Sequence, residues 1–182
     1  MAPNSHYSLM FLLSLTLILQ SSSSQLTQNA IDPIYKVCSQ TAYDELCVAC
    51  LESDPRSSTG DLNVFVDILI NLALSNVTNT YPYISKLYNE TSEPTMKSCL
   101  NQCLIMYEDA IYDLEDALTS LAAMDYSKLH RDMAETLDVA LICDGCFTAP
   151  PFPKSPLTQQ TLFLIQLSSI TLAINDMLAS SS

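Results

Sequence analysis

The sequence predicts an all-α fold, an antiparallel up-down-up-down four-helix bundle with an N-terminal helical hairpin, stapled by disulfides. Glycine occurs only 2 times in 182 residues, which argues against a turn-rich β-sandwich and for long helices. Apolar residues recur at steps of three and four along several long segments, as in amphipathic helices. The chain also holds 7 cysteines, and in an exported chain we expect them to pair as disulfides.

Residues 1–24 are predicted to be a cleaved signal peptide. The apolar run from Leu9 to Leu19 is shorter than the roughly 18 residues of a membrane-spanning helix, and the small residues Ser21 to Ser24 follow it. The segment before the run has no Lys or Arg, so an uncleaved interfacial helix is the alternative. No later run reads as long and apolar enough to span a bilayer, so we expect no membrane association after cleavage.

Residues 25–182 are read as one domain, with a hairpin over 25–57 and the bundle over 58–182. Asp54-Pro55 ends the hairpin, because the residue before proline disfavours helix. Ser58 and Asp61 resemble a capping box that begins the first long helix.

The first long helix is expected to end near Asn76, and Pro82 is expected to begin a fresh helical turn. The second is predicted from Pro94 to Ala122, where apolar residues alternate steps of four and three. These residues are Leu100, Leu104, Tyr107, Ile111, Leu114, Leu118 and Leu121.

The third long helix is predicted from about Ser127 to Cys146, and the last from about Leu157 to Leu178. Between them, four prolines from Pro150 to Pro156 predict an extended, polyproline-like linker. Four long amphipathic helices with short links form an up-down-up-down bundle.

The cysteines of the second and third long helices fit this antiparallel arrangement. It brings Cys103 level with Cys143, and one turn further it brings Cys99 level with Cys146. A Cys103–Cys143 bridge would close a loop of about 40 residues and contribute about 4 kcal/mol on the chain-entropy model. A zinc site formed by these four residues is the alternative, which an oxidising compartment disfavours.

The formal net charge of −13, with only 7 Lys and Arg, opposes binding to nucleic acid or anionic lipid. A basic protein partner and a merely solubilising surface both remain compatible with it. We expect no cofactor, metal or catalytic residue, since His130 stands alone and adjacent carboxylates such as Glu108 and Asp109 point different ways. Asn76 and Asn89 begin N-glycosylation sequons near predicted helix ends.

Four stretches, in order, resemble the plant invertase and pectin methylesterase inhibitors. They are Cys38 and Cys47 with the segment from Leu51 to Ser57, the helix from Cys103 to Leu114, Cys143-Asp-Gly-Cys-Phe147, and Ser155 to Ile174. The resemblance implies a non-catalytic enzyme inhibitor with a bundle fold and two shared disulfides, Cys38–Cys47 and Cys103–Cys143. Cys99–Cys146 would be an addition. Cys50 is then left as a free thiol, which we expect to be buried rather than paired between chains.

The resemblance also implies two ways of docking. In some members of the invertase-directed branch, the loop between the second and third long helices carries a Pro-Lys-Phe tripeptide. This chain has Asp125, Tyr126 and Lys128 there instead. In the pectin methylesterase branch, the bundle helices themselves cover the cleft of the enzyme. In this chain, an acidic helix face is the candidate surface for such a contact with a basic enzyme. Its residues are Asp109, Asp113 and Asp116.

The resemblance of the hairpin favours inhibition of a plant acid invertase (β-fructofuranosidase), with pectin methylesterase as the alternative target. We expect a monomeric chain that forms a 1:1 complex in the apoplast or cell wall, with the vacuole as the alternative location. A lipid-binding module and a secreted structural or storage protein are the rival classes, and the lipid carrier would need an apolar cavity.

Overall fold

The structure, a computed structural model, describes residues 32–148 and 154–181. These residues form the predicted all-α fold. The hairpin consists of α1 (Pro33–Cys38) and α2 (Asp44–Glu52), and a 3-10 helix (Pro55–Thr59) follows. The long helices are α3 (Leu62–Glu90), α4 (Pro94–Ala122), α5 (Tyr126–Gly145) and α6 (Thr158–Ser181). The predicted signal peptide and residues 149–153 of the predicted linker lie outside the described residues.

The four long helices pack as a four-sided bundle. Helix α4 contacts α3 and α5, and α6 contacts the same two helices from the other side. Three contacts show that α4 and α5 are antiparallel, because residue numbers rise along one helix as they fall along the other. They are the disulfides Cys99–Cys146 and Cys103–Cys143 and the hydrogen bond from Ser120 to Asp132.

Helix α4 supplies the most regular core seam. Large buried residues recur every seven positions, and one small buried residue lies between each pair of them. The large ones are Leu100, Tyr107, Leu114 and Leu121, and the small ones are Cys103, Ala110 and Ala117. Leu104, Ile111 and Leu118, which the sequence analysis put in the same seam, are only half-buried at its edge. The one polar group of this seam, the Tyr107 hydroxyl, lies 3.2 Å from Thr161 Oγ1 of α6, so its burial is compensated.

Helix α3 is continuous, so the predicted end near Asn76 and restart at Pro82 are wrong. Pro82 has no N–H to donate to the Thr78 carbonyl, but both residues are exposed, so water can hydrate that oxygen. Buried residues lie within the expected break and just after it, and they hold the helix against the core. They are Val77, Thr80 and Ile84.

The start of α3 also differs from the prediction. Its N-cap is Asp61, whose carboxylate accepts a hydrogen bond from the Asn63 N–H at 2.8 Å, whereas Ser58 lies inside the 3-10 helix. The capping box between Ser58 and Asp61 is therefore wrong. Gly60 turns the chain between them with φ of 69°, and a Cβ on it would lie 3.1 Å from Pro33 Cγ of α1. The hairpin thus packs directly on the start of the bundle.

Helices α3 and α6 are each long and apolar enough to cross a membrane by length and composition, which the sequence analysis had not recognised. Both contribute fully buried side chains to the bundle core, such as Phe65 and Ile70 from α3 and Leu164 and Leu167 from α6. The core helix of a soluble protein passes the same test, so these two helices are weak evidence for a membrane span.

Candidate functional site

Three disulfides support the surfaces described below. Cys38–Cys47 joins α1 to α2, and Cys99–Cys146 and Cys103–Cys143 join the first turns of α4 to the end of α5. Cys50 is a free thiol on α2 that is only 7% exposed. Burial raises the pKa of this thiol, so it stays protonated and is a poor nucleophile.

The α4–α5 groove is a cleft of about 390 Å³ between the middle of α4 and the second half of α5. Its lining is acidic and apolar. The acidic residues are Asp109 and Asp113 from α4 and Glu135 and Asp138 from α5, and the apolar residues are Met106, Tyr112, Val139 and Ile142. Asp109 and Asp113 are thus part of a larger acidic surface that spans two helices.

Asp113 is the most perturbed carboxyl group of this groove. Partial burial raises its pKa to about 6, and repulsion from the surrounding carboxylates adds to the shift. Those carboxylates are Glu135, Asp109, Asp132 and Asp116, in order of effect. The fold therefore holds several negative charges together at a cost to its own stability, which is typical of a site used for binding.

Large apolar side chains flank the carboxylates. Tyr112 is 63% exposed and Ile142 is 46% exposed, and Ile105, two turns of α4 before Tyr112, is 51% exposed. Exposed aromatic and aliphatic residues beside charged groups are typical of protein interfaces, where the apolar part supplies affinity and the charges supply orientation. The groove can therefore bind a basic, partly apolar protein surface.

Lys128 lies at the edge of this acidic surface and is held by two carboxylates. Its Nζ is 3.0 Å from an oxygen of Asp116 on α4 and 3.0 Å from one of Asp132 on α5. Ser120 also donates a hydrogen bond to Asp132, at 2.8 Å. We call Asp116, Ser120, Lys128 and Asp132 the Lys128 clasp. Hydrogen bonds to Asp132 and Asp116 raise the pKa of the Lys128 ammonium, so it stays charged.

The connection between α4 and α5 is only three residues long, Ala123 to Asp125. Asp125 caps α5 by accepting a hydrogen bond from the Lys128 N–H at 2.9 Å. The Tyr126 hydroxyl donates to Asn63 Oδ1 at 2.9 Å, and the Tyr126 carbonyl accepts from Asn175 at 2.9 Å. The structure thus gives Asp125, Tyr126 and Lys128 partners within the chain.

A second groove, the α3–α6 groove, lies on the opposite side of the bundle and measures about 460 Å³. Its lining is neutral and comprises Leu72, Ser75, Asn76, Asn79, Thr80, Tyr83, Gln160 and Phe163. Asn76 is therefore in the middle of a helix, not near an end as predicted, whereas Asn89 is exposed in the last turn of α3. Among the described residues, no cluster of His, Cys, Asp and Glu is arranged to hold a metal ion.

Glu135 and Asp138 were missed by the sequence analysis, although a signal for them exists. If Cys103 lies opposite Cys143, the antiparallel register puts Asp109, two turns further along α4, opposite residue 137. Glu135 and Asp138 flank that position. Extending the register of the disulfides would therefore have found both residues.

A family model described as "Plant invertase/pectin methylesterase inhibitor" matches residues 32–174. The chain belongs to this family. The family consists of enzyme inhibitors, so the protein is an inhibitor and not an enzyme. This membership disfavours the lipid carrier.

Relatives named for both targets are similar to the chain. A "Putative invertase inhibitor" from Platanus acerifolia is 29% identical over 169 residues, covering 92% of this chain and 94% of the relative. A "Pectinesterase inhibitor" from Actinidia deliciosa is 33% identical over 148 residues, covering 81% and 80%. A "Cell wall / vacuolar inhibitor of fructosidase 2" from Arabidopsis thaliana is 32% identical over 144 residues, covering 77% and 79%.

The fold is also similar to solved structures. A mutant form of a pectin methylesterase inhibitor from Arabidopsis superposes with a TM-score of 0.72 at 20% identity, covering 80% of this chain and 97% of that one. This likeness supports the all-helical architecture described above.

Proposed function

We propose that the protein is a secreted inhibitor that lays its α4–α5 face across the active-site cleft of a plant cell-wall enzyme. The observation that carries the proposal is the α4–α5 groove, in which four carboxylates lie between exposed Tyr112 and Ile142. A chain with a formal net charge of −13 is attracted to a basic partner over a distance, and the groove then aligns the two surfaces.

Rigidity makes this face suitable for occlusion. The two disulfides fasten α4 to α5 at one end, and the Lys128 clasp joins the same helices near the other. A surface that is already ordered loses little conformational entropy on binding, so more of the contact energy appears as affinity.

Pectin methylesterase is the target that this geometry favours. A loop that enters an invertase cleft needs a free lysine, but Lys128 is in the first turn of α5 and is held by two carboxylates. Docking through the faces of the helices needs no such loop. The relative from Actinidia deliciosa, named as a pectinesterase inhibitor, supports this choice.

Acid invertase is the second candidate. The relative from Platanus acerifolia, which matches over 92% of this chain, is named as an invertase inhibitor, and the fructosidase inhibitor from Arabidopsis thaliana is 32% identical. Under this alternative the acidic face would contact a basic surface beside the invertase cleft, and Lys128 would stay in its clasp.

We further propose that residues 1–24 direct export and that residues 25–182 act as one inhibitory domain in the apoplast or cell wall. The vacuole is the alternative location, in keeping with the name of the fructosidase inhibitor. One α4–α5 face per chain supports a monomeric inhibitor and a 1:1 complex.

The test is a titration of purified protein into each enzyme at mildly acidic pH, with residual activity as the readout. We expect an equivalence point at one inhibitor per pectin methylesterase. Inhibition of acid invertase alone would favour the second candidate, and no inhibition of either enzyme would refute the proposal.

Two matched variants test the face itself. Tyr112→Ala, in the α4–α5 groove, should weaken inhibition about tenfold, which is a moderate hot-spot loss. Tyr83→Ala, in the α3–α6 groove, removes a ring that is 40% exposed and should leave inhibition unchanged. Equal effects of the two substitutions would show that the α4–α5 face is not the docking surface.

A further inference from the structure

Helix α3 carries both N-glycosylation sequons, and the structure gives them opposite surroundings. We infer that Asn89 is the N-glycan acceptor of the folded chain and that Asn76 carries no glycan. Sequence cannot separate them, since both have the Asn-x-Thr pattern. The distinction comes from the burial, the backbone and the hydrogen bonds of each site.

The Asn89 sequon meets the requirements of an acceptor. Asn89 and Glu90 are exposed, and Thr91 follows the helix in an extended conformation, with φ of −83° and ψ of 137°. Asn89 Nδ2 donates only to the Ser85 carbonyl, at 2.9 Å, in the last turn of α3. The Thr91 hydroxyl oxygen accepts from the Glu93 N–H at 3.3 Å, which leaves its own proton free. Acceptor sites belong on such surface segments.

The Asn76 sequon meets none of them. Val77 is fully buried, and Thr78 Oγ1 donates to the Leu74 carbonyl at 2.7 Å. Asn76 and Thr78 are two helical positions apart, so their side chains point about 200° apart around the helix axis. Asn76 Oδ1 is buried without a hydrogen-bond partner in the α3–α6 groove, where Phe163 forms part of the opposite wall. A branched oligosaccharide there would project into the contact between two core helices.

The modification is an ordinary group transfer from a lipid-diphosphate oligosaccharide of the secretory lumen. Asn89 Nδ2 forms a bond to C1 of the first sugar and loses one proton. The bond from C1 to the diphosphate oxygen breaks, and its electron pair leaves with the lipid diphosphate. The product carries a neutral, hydrated glycan where α3 turns into α4.

This position lies at the end of the bundle away from the Lys128 clasp. Asn89 lies about 40 Å along α3 from Asn63, at 1.5 Å per helical residue. Asn63 binds Tyr126 at the opposite end of the bundle, next to the Lys128 clasp. A glycan on Asn89 therefore extends from the end of the bundle that holds the two α4–α5 disulfides.

The test uses the full chain behind a cleavable secretory leader, translated into microsomes, so that the result does not depend on residues 1–24. The wild-type chain should gain one glycan that peptide-N-glycosidase removes, and deglycosylation in ¹⁸O water should label position 89. Asn89→Gln and Thr91→Ala should abolish the glycan, whereas Thr91→Ser should retain it. Asn76→Gln and Thr78→Ala are the matched controls and should leave it in place.

Three results would overturn the inference. They are a glycan that survives Asn89→Gln, a second glycan on the wild-type chain, and a wild-type chain that is protected in the lumen yet unglycosylated. Enzyme inhibition plays no part in this readout, so the inference and the proposed function fail independently.

Discussion

The α4–α5 groove and the α3–α6 groove are similar in volume and differ in chemistry. They measure about 390 and 460 Å³ and lie on opposite sides of one bundle. Four carboxylates line the first, whereas amides, hydroxyls and apolar side chains line the second. Packing four helices produces a groove at each seam, so the groove itself is no sign of function. The concentration of like charge, which packing does not require, distinguishes the α4–α5 side.

The two sides also differ in how they are fastened. Two disulfides and the Lys128 clasp join α4 to α5, whereas no disulfide or ion pair joins α3 to α6 among the described residues. Covalent links oppose the repulsion between carboxylates on the two helices. This comparison indicates that the disulfides and the clasp hold α4 and α5 together despite the repulsion between their carboxylates.

The largest expected effect comes from cutting the covalent links. Replacing all four cysteines of the two α4–α5 disulfides by alanine should lower the free energy of unfolding by about 4 kcal/mol, because the unfolded chain regains its loop entropy. Replacing only one pair should cost much less, since the other closes nearly the same loop, of 47 or 40 residues. Denaturant unfolding measures both. If each single-pair replacement lost half of the free energy that the four-cysteine replacement loses, this account would be contradicted.

A smaller loss is expected from opening the clasp. Lys128→Ala leaves Asp132, which is 7% exposed, without its cation, and should lower the free energy of unfolding by less than the loss of both disulfides. The matched control is Lys86→Ala, which removes an exposed pair with Glu90 at 3.9 Å and should cost about 0.5 kcal/mol or less. Thermal unfolding of both variants checks the difference, and equal shifts would show that the clasp adds no stability.

The smallest effect concerns the charge of the α4–α5 groove. The folded pKa of Asp113 is about 6, above the unfolded value near 3.9. The unfolded state therefore ionises first, and the stability that Asp113 contributes falls as pH rises from about 4 to 6. Asp113→Asn removes this dependence and should stabilise the protein above pH 6 by about 1 kcal/mol, after a discount for partial solvent screening.

Glu108→Gln on the exposed side of α4 is the control for that experiment, because it removes the same charge outside the groove. Unfolding midpoints measured at pH 4 and pH 7 should diverge for Asp113→Asn and stay parallel to wild type for the control. A stabilisation by Asp113→Asn that is the same at both pH values would mean that ionisation is not its cause.

Much of the fold could be predicted because its signals are local. Helix α4 has the predicted bounds, Pro94 to Ala122, since a proline begins it and its apolar seam runs without interruption. Helix α3 was predicted too short because Pro82 was taken as the start of a new helical turn, and that rule considers only the local sequence. Whether a helix continues through a proline depends on tertiary packing, which here buries Val77, Thr80 and Ile84.

The candidate site was only partly predictable, for a related reason. Asp109 and Asp113 share one helix face, which their spacing reveals. The approach of Glu135 depends on the register of a second helix, and the capture of Lys128 by Asp116 depends on the length of the α4–α5 connection. The charge pattern of α4 alone cannot show that Asp116 is already paired with a lysine from the next helix.

Gly60 has a mechanical consequence for the hairpin. The chain has only 2 glycines, and this one adopts a left-handed turn whose missing methyl group would otherwise meet the ring of Pro33 at 3.1 and 3.2 Å. Any side chain at position 60 would push α1 away from the start of α3. The close approach of α1 to the start of α3 therefore depends on the absence of a single carbon atom at position 60.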